Sequence, residues 1–113
     1  MDIVSGPPIG IVTPSVSTPT QLCPTIASAT SVTLLSSNTA RKYLLIQNNS
    51  GVNVALSLKG DALTGIVPTV TNQCIVLSPG MWYESNSAYC PSSAITVYQA
   101  SGASINTVTV VEG

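Results

Sequence analysis

Histidine and phenylalanine are both absent, and charge is scarce: three Lys or Arg against four Asp or Glu, 6% of the 113 residues, for a net charge of −1. Ordinary soluble domains carry about 25% charged residues. Without histidine, the usual base for a serine or cysteine nucleophile is missing, and no conventional triad can be assembled. Arg41, Lys42 and Lys59 are the only cations. Neutralising even about six phosphates takes about that many donors, so nucleic-acid binding is not expected. No apolar run reaches the roughly 18 residues of a transmembrane helix, so no membrane span is expected. The start, Met-Asp-Ile-Val-Ser-Gly-Pro-Pro, has neither a basic n-region nor an unbroken apolar h-region. No secretory signal is therefore expected, and synthesis in a reducing cytosol is the default.

Cys23, Cys74 and Cys90 match no zinc spacing and have no histidine to join them, so no metal site is expected. They read as free, buried small hydrophobes; a bridge between Cys74 and Cys90 is the alternative if their strands are neighbours. No glycine-rich phosphate loop, calcium loop or nucleotide fingerprint occurs, and no cofactor is expected. Asp61 and Glu84 are the one conceivable glycosidase-like pair, but each stands beside turn residues, where carboxylates are usually solvated. No enzyme is expected. Asn48-Asn49-Ser50 has the glycosylation acceptor pattern. Such a triplet arises often by chance, and without a secretory route it is set aside.

What the chain does have is apolar, β-branched and hydroxylated. Hydrophobic residues make up 44%, mostly Val, Ile and Leu spaced by Ser and Thr, which suits a pleated surface better than a helix. The length suits one domain with one modest core. Five of the eight prolines (Pro7, Pro8, Pro14, Pro19 and Pro24) fall in the first 24 positions. That spacing forbids a helix and discourages a central strand. Interleaved Ile3, Val4, Ile9, Ile11, Val12, Val16, Leu22 and Ile26 give residues 1–30 the character of an extended apolar arm that lies on a surface. Some 25 extended residues reach at most about 80–90 Å, enough to cross a neighbouring subunit. Removing residues 1–26 is expected to weaken attachment and leave the remainder folded.

Residues 31–113 read as a β-sandwich domain, with short strands separated by Gly, Asn, Pro and Ser clusters every eight to twelve residues or so. The expected strands cover about 31–35, 41–48, 52–58, 73–77, 81–84, 94–100 and 105–111. The 41–48 segment looks apolar on both faces. The 52–58 segment alternates, which predicts one wet face of Asn53, Ala55 and Ser57. Count and turn chemistry predict an all-β, antiparallel sandwich of jelly-roll or immunoglobulin-like type. Trp82 and Tyr83 follow a Pro79-Gly80 turn and, as strand neighbours, face opposite ways: one inward, the other a candidate for partner or oligomer contact, together with the arm residues through Leu22. Arg41 and Lys42 could pair with Glu112 if their strands adjoin, as an exposed pair contributing about 0–1 kcal/mol; they are read as edge charges that discourage wrong pairing. So neutral a surface is either solvated by Ser, Thr and Asn side chains or covered by identical copies or another protein, and the second is expected.

The run Arg41-Lys42-Tyr43-Leu44-Leu45-Ile46-Gln47-Asn48-Asn49-Ser50, the strand at 52–58 with Gly60, Ile75-Val76-Leu77-Ser78-Pro79-Gly80, Ala94-Ile95-Thr96-Val97-Tyr98 and Val108-Thr109-Val110-Val111-Glu112-Gly113 resemble the small β-sandwich virion proteins of tailed bacteriophages. The resemblance covers about residues 40–113. It implies a structural protein made in the host cytoplasm, with no catalytic residues. The expected role is a capsid cement or decoration protein, a homotrimer on the capsid surface whose partner is the major capsid protein. A neck, tail or head-fibre-base component is the alternative within that group. A carbohydrate-binding adhesin module using Trp82 as a platform is the alternative outside it.

Overall fold

The computed structural model describes residues 18–113. Eight short strands occur in order: β1 Thr20–Leu22, β2 Val32–Leu35, β3 Leu44–Asn48, β4 Val54–Ser57, β5 Ile75–Leu77, β6 Trp82–Ser85, β7 Ile95–Tyr98 and β8 Val108–Glu112. They pair, antiparallel throughout, into two four-stranded sheets ordered β1-β8-β3-β6 and β2-β7-β4-β5. No helix occurs among the described residues, and the two sheets form the layers of a β-sandwich.

The core follows the period of two along each strand. Leu44 and Ile46 of β3 and Val108 and Val110 of β8 face Val54, Leu56, Leu77, Ile95 and Val97 from the other sheet, all buried. Burying each such side chain contributes about 1.5–3 kcal/mol. Ile26 joins them with no exposed surface. Its backbone exchanges two hydrogen bonds with Ile105, at 2.8 and 3.0 Å, and its carbonyl accepts from the buried Gln99 amide at 3.0 Å.

The sandwich thus takes in residues that proline content assigns to the arm. Strand β1 pairs with β8, Thr20 opposite Glu112 and Leu22 opposite Val110. It is an edge strand, where neighbouring prolines are tolerated. Removal of residues 1–26 would therefore strip a strand and a core residue, whereas a deletion confined to residues 1–17 removes none of the described strands. A chain starting at residue 18 should melt with the full-length protein. One starting at 31 should lose at least about 2 kcal/mol through Ile26 alone. Parallel melts by circular dichroism decide it; equal midpoints would place Ile26 and β1 outside the cooperative unit.

Strand β4 differs from its alternation. Its predicted wet face is covered at two of three positions: Ala55 and Ser57 are as buried as Val54 and Leu56, while Asn53, just before the strand, is exposed as expected. The loop of residues 59–72 folds back across this side. Ser57 Oγ accepts hydrogen bonds from the backbone N–H of Lys59 and Asp61. Thr96, opposite Ser57 on β7, donates its hydroxyl to the Asp61 carbonyl. Leu63, 3% exposed, caps the arrangement with its N–H on Ser31 Oγ. Asn72 holds the loop from within: its Oδ1 accepts from Thr64 N–H at 2.8 Å and its Nδ2 donates to the carbonyls of Gly65 and Val67.

Arg41 is not an edge charge, because it leads into β3, which lies between β8 and β6. Its side chain is fully buried and its Nε meets Glu112 Oε2 at 2.7 Å. The guanidinium also donates to the carbonyls of Pro91, Ser93 and Ser36, tying the loops before β3 and β7 to the end of β8.

Candidate functional site

The Ser78-Pro79-Gly80-Met81 turn sets the site. Met81 N–H returns to the Ser78 carbonyl at 2.9 Å, and Gly80 has φ +86°. Proline second and glycine third are what a type II turn requires, since only glycine adopts that φ without strain. Gly80 N–H and the Met81 carbonyl both bond to the Asn48 backbone, at 2.7 and 2.9 Å. This locks β6 against β3 with Gln47 opposite Trp82, Ile46 opposite Tyr83 and Leu45 opposite Glu84.

Alternation then separates the two aromatics. Tyr83 points inward and packs on the core. Trp82 points out and is 59% exposed. On the outer face, Trp82 and Glu84 of β6 and Leu45 and Gln47 of β3 line a shallow depression of about 250 Å³. Tyr43, just before β3, donates its hydroxyl to Glu84 Oε2 at 2.7 Å. That hydrogen bond, then desolvation and the Glu84 charge, push the Tyr43 hydroxyl above its ordinary pKa, so it remains a donor at neutral pH. Thr109, opposite Gln47 on β8, accepts from the Asn49 amide at 3.1 Å and extends the polar rim. One face of the sheet thus carries an indole plate, an apolar floor, an amide and an oriented carboxylate.

The other contact residues expected from sequence fall elsewhere. Leu22, 41% exposed, sits on β1 at the opposite edge of this sheet from Trp82; its partner Val110 is a core residue, so the two do not share a patch. Ile3, Val4, Ile9, Ile11, Val12 and Val16 lie outside the described residues. Gln47 and Leu45 were not singled out in the sequence. The alternation of β3 placed Leu45 and Tyr43 on one face, but nothing local indicates that Gln47 stands beside Trp82.

Asp61 and Glu84 are not brought together. Asp61 belongs to the loop over the outside of the β4-containing sheet and pairs with Lys59 at 3.3 Å, whereas Glu84 stands on the outer face of the other. Among the described residues no cluster of three His, Cys, Asp or Glu could hold a metal, and no helix is long and apolar enough to cross a membrane. All three cysteines are free. Cys23 is exposed, against the expectation of burial, with its Sγ 3.7 Å from Thr109 Oγ1. Cys74 and Cys90 are half-buried, and desolvation raises the pKa of the Cys74 thiol.

No family model, curated protein or solved structure matches this chain.

Proposed function

We propose that this chain is a structural protein of a tailed-bacteriophage virion: a cement or decoration protein, homotrimeric, that sits on the outside of the assembled shell and ties major capsid protein subunits together. The resemblance over residues 40–113 carries the reading, and strand order supports it. In β1-β8-β3-β6 over β2-β7-β4-β5, the consecutive strands β1 and β2 lie in different sheets. That order supports the double Greek key of a jelly roll over the immunoglobulin plan, where the first two strands share a sheet. Jelly rolls serve as viral capsid domains and as lectins. Because a fold alone does not choose a function, the choice of virion protein rests on the resemblance over residues 40–113.

The exterior supports the same choice. Arg41 and Glu112 neutralise each other at a buried contact, and Lys59 and Asp61 pair on the surface. Lys42 and Glu84 are the only other charged residues among the described ones. A surface so poor in charge suits close packing against protein, where unpaired charges would have to be desolvated. Residues 1–17, rich in Ile and Val, precede Pro19 at the edge of the β1-containing sheet; extended, they span about 55–60 Å and would lie along a capsid neighbour. Binding the assembled shell and not its free subunits stabilises the shell by mass action, about 2.7 kcal/mol per site at a hundredfold excess over Kd.

Copies per purified particle, measured by quantitative mass spectrometry against the major capsid protein, test this. A shell-wide role predicts hundreds. A dozen or fewer would move the chain to the neck, tail or fibre base, and none would remove it from the virion. Deleting residues 1–17 is expected to lower capsid occupancy with the domain still folded; undiminished occupancy would refute the part given to the arm.

A further inference from the structure

We propose that the depression between Trp82 and Glu84 binds a neutral sugar: one uncharged hexopyranose of a glycan, its C–H face stacked on the indole and its hydroxyls held by Gln47 and Glu84. A pyranose ring presents two unlike surfaces, an apolar face of C–H groups and a rim of hydroxyls that both donate and accept. A site for it needs a flat apolar partner with hydrogen-bonding groups beside it.

The outer face of β3 and β6 holds that combination on rigid elements. Trp82 supplies the plate and Leu45 the floor. The Gln47 amide offers both donors and an acceptor, and its side chain has no hydrogen-bond partner among the described residues. Glu84 is acceptor-only when ionised. Its orientation is already fixed by the Tyr43 hydroxyl at 2.7 Å, so less ordering is left for binding to supply. The backbone beneath is held by ladder pairs on both sides of β3.

Size and charge narrow the class. A depression of about 250 Å³ lies below the roughly 300–1,000 Å³ of sites for drug-sized ligands and suits a single ring. Its lining contains one carboxylate and no cation, which opposes acidic sugars and phosphates by like-charge repulsion. A protein hot spot would also favour tryptophan, but its centre would be sealed by apolar neighbours. Here two of the three residues that line the depression with the indole are an amide and a carboxylate, beside the single apolar Leu45. The proposal stands apart from the capsid reading, since it concerns the purified protein alone.

Trp82 is the sole tryptophan, so its emission reports the site directly. The full-length protein is titrated with glucose, galactose, mannose and N-acetylglucosamine, and with oligosaccharides built from them, up to about 50 mM; sialyllactose serves as the acidic comparison. Expected is a saturable change in emission with at least one neutral sugar and a markedly weaker one with sialyllactose. By isothermal titration calorimetry, Trp82→Ala should weaken that binding at least about tenfold, the behaviour of a central contact residue. Gln47→Ala and Glu84→Gln should weaken it several-fold while the melting temperature stays within a few degrees. A flat response to every neutral sugar would overturn the proposal, as would undiminished binding by Trp82→Ala. Dissociation of an oligomer by Trp82→Ala in sedimentation velocity, without any sugar response, would overturn it in favour of a contact between copies.

Discussion

Replacing Arg41 by methionine is expected to lower the unfolding free energy by about 3–5 kcal/mol, the cost of breaking a buried ion pair from one side. The side chain has no exposed surface and satisfies Glu112 and three loop carbonyls. Methionine fills much of the volume but leaves the carbonyls of Ser36, Pro91 and Ser93 without their donor and the carboxylate with only the Asn38 amide, at 3.2 Å. At about 4–8 °C per kcal/mol for a domain of this size, the midpoint should fall by more than about 12 °C. Lysine should rescue less than half of the loss, because one ammonium cannot reproduce the planar fork that reaches all four acceptors. Since Arg41 is fully buried and Glu112 only 17% exposed, the penalty should change less between low and high salt than for a surface pair. A loss under about 1 kcal/mol would mean that these acceptors find water or other donors, and that the corner is not held by Arg41.

Asn48→Asp carries the second large effect, with a dependence on pH that identifies its cause. Asn48 is completely buried. Its Nδ2 donates to the carbonyls of Val52 at 2.7 Å and Leu77 at 2.9 Å, while its Oδ1 accepts from the Ser50 N–H and hydroxyl. Aspartate keeps the acceptor but places an ionised oxygen against two carbonyls, for a loss of about 3–4 kcal/mol at pH 7. Desolvation and those carbonyls raise the new group's folded pKa above its unfolded value of about 3.9. The sign follows. Below the unfolded pKa the group is protonated in both states, can donate to one carbonyl, and the penalty is small. As pH rises between the unfolded and folded values, the penalty grows by about 1.36 kcal/mol per unit, and above the folded value it levels off. Urea unfolding of wild type and variant between pH 3.5 and 8 reads this directly. Asn48→Ala, also destabilised, should show no such slope. A pH-independent penalty in Asn48→Asp would mean that the site admits water.

Both residues bear on the candidate sugar site although neither touches it. The Asn48 backbone anchors the turn that delivers Trp82, and Glu112, held by Arg41, continues the β8 strand that flanks β3. Loosening either is expected to degrade the alignment of Gln47 with Trp82.

Much of this was legible in sequence, for reasons tied to particular residues. Alternation in a strand is local, so the opposite fates of Trp82 and Tyr83 and the inward side of β4 followed from the period of two. The pairing of Arg41 with Glu112 was stated as a condition, because it required knowing that β3 and β8 adjoin. Its burial was not foreseeable, since a charge beside a strand is usually solvated. Asn48 carried a misleading sign: its triplet has the glycosylation pattern, while in the fold its amide is an internal tie with no exposed surface. Ser57 and Ala55 were assigned to water because periodicity reports which way a residue points and not what a loop of residues 59–72 lays over it.

By itself, then, the sequence determined the class of structure and the poverty of surface charge. Turn residues at short intervals with β-branched runs between them leave an antiparallel all-β chain as the consistent solution, and composition is independent of folding. Tertiary structure alone decided that Ile26 belongs to the core, that Arg41 is buried, and that Gln47 and Glu84 share a depression with Trp82. The physical reason is register. Residues 35 positions apart become neighbours only through the choice of partner strand, and a slip of one residue would turn every side chain of β6 to the other face. That choice is fixed by the summed packing of two sheets, which no segment of the chain encodes alone.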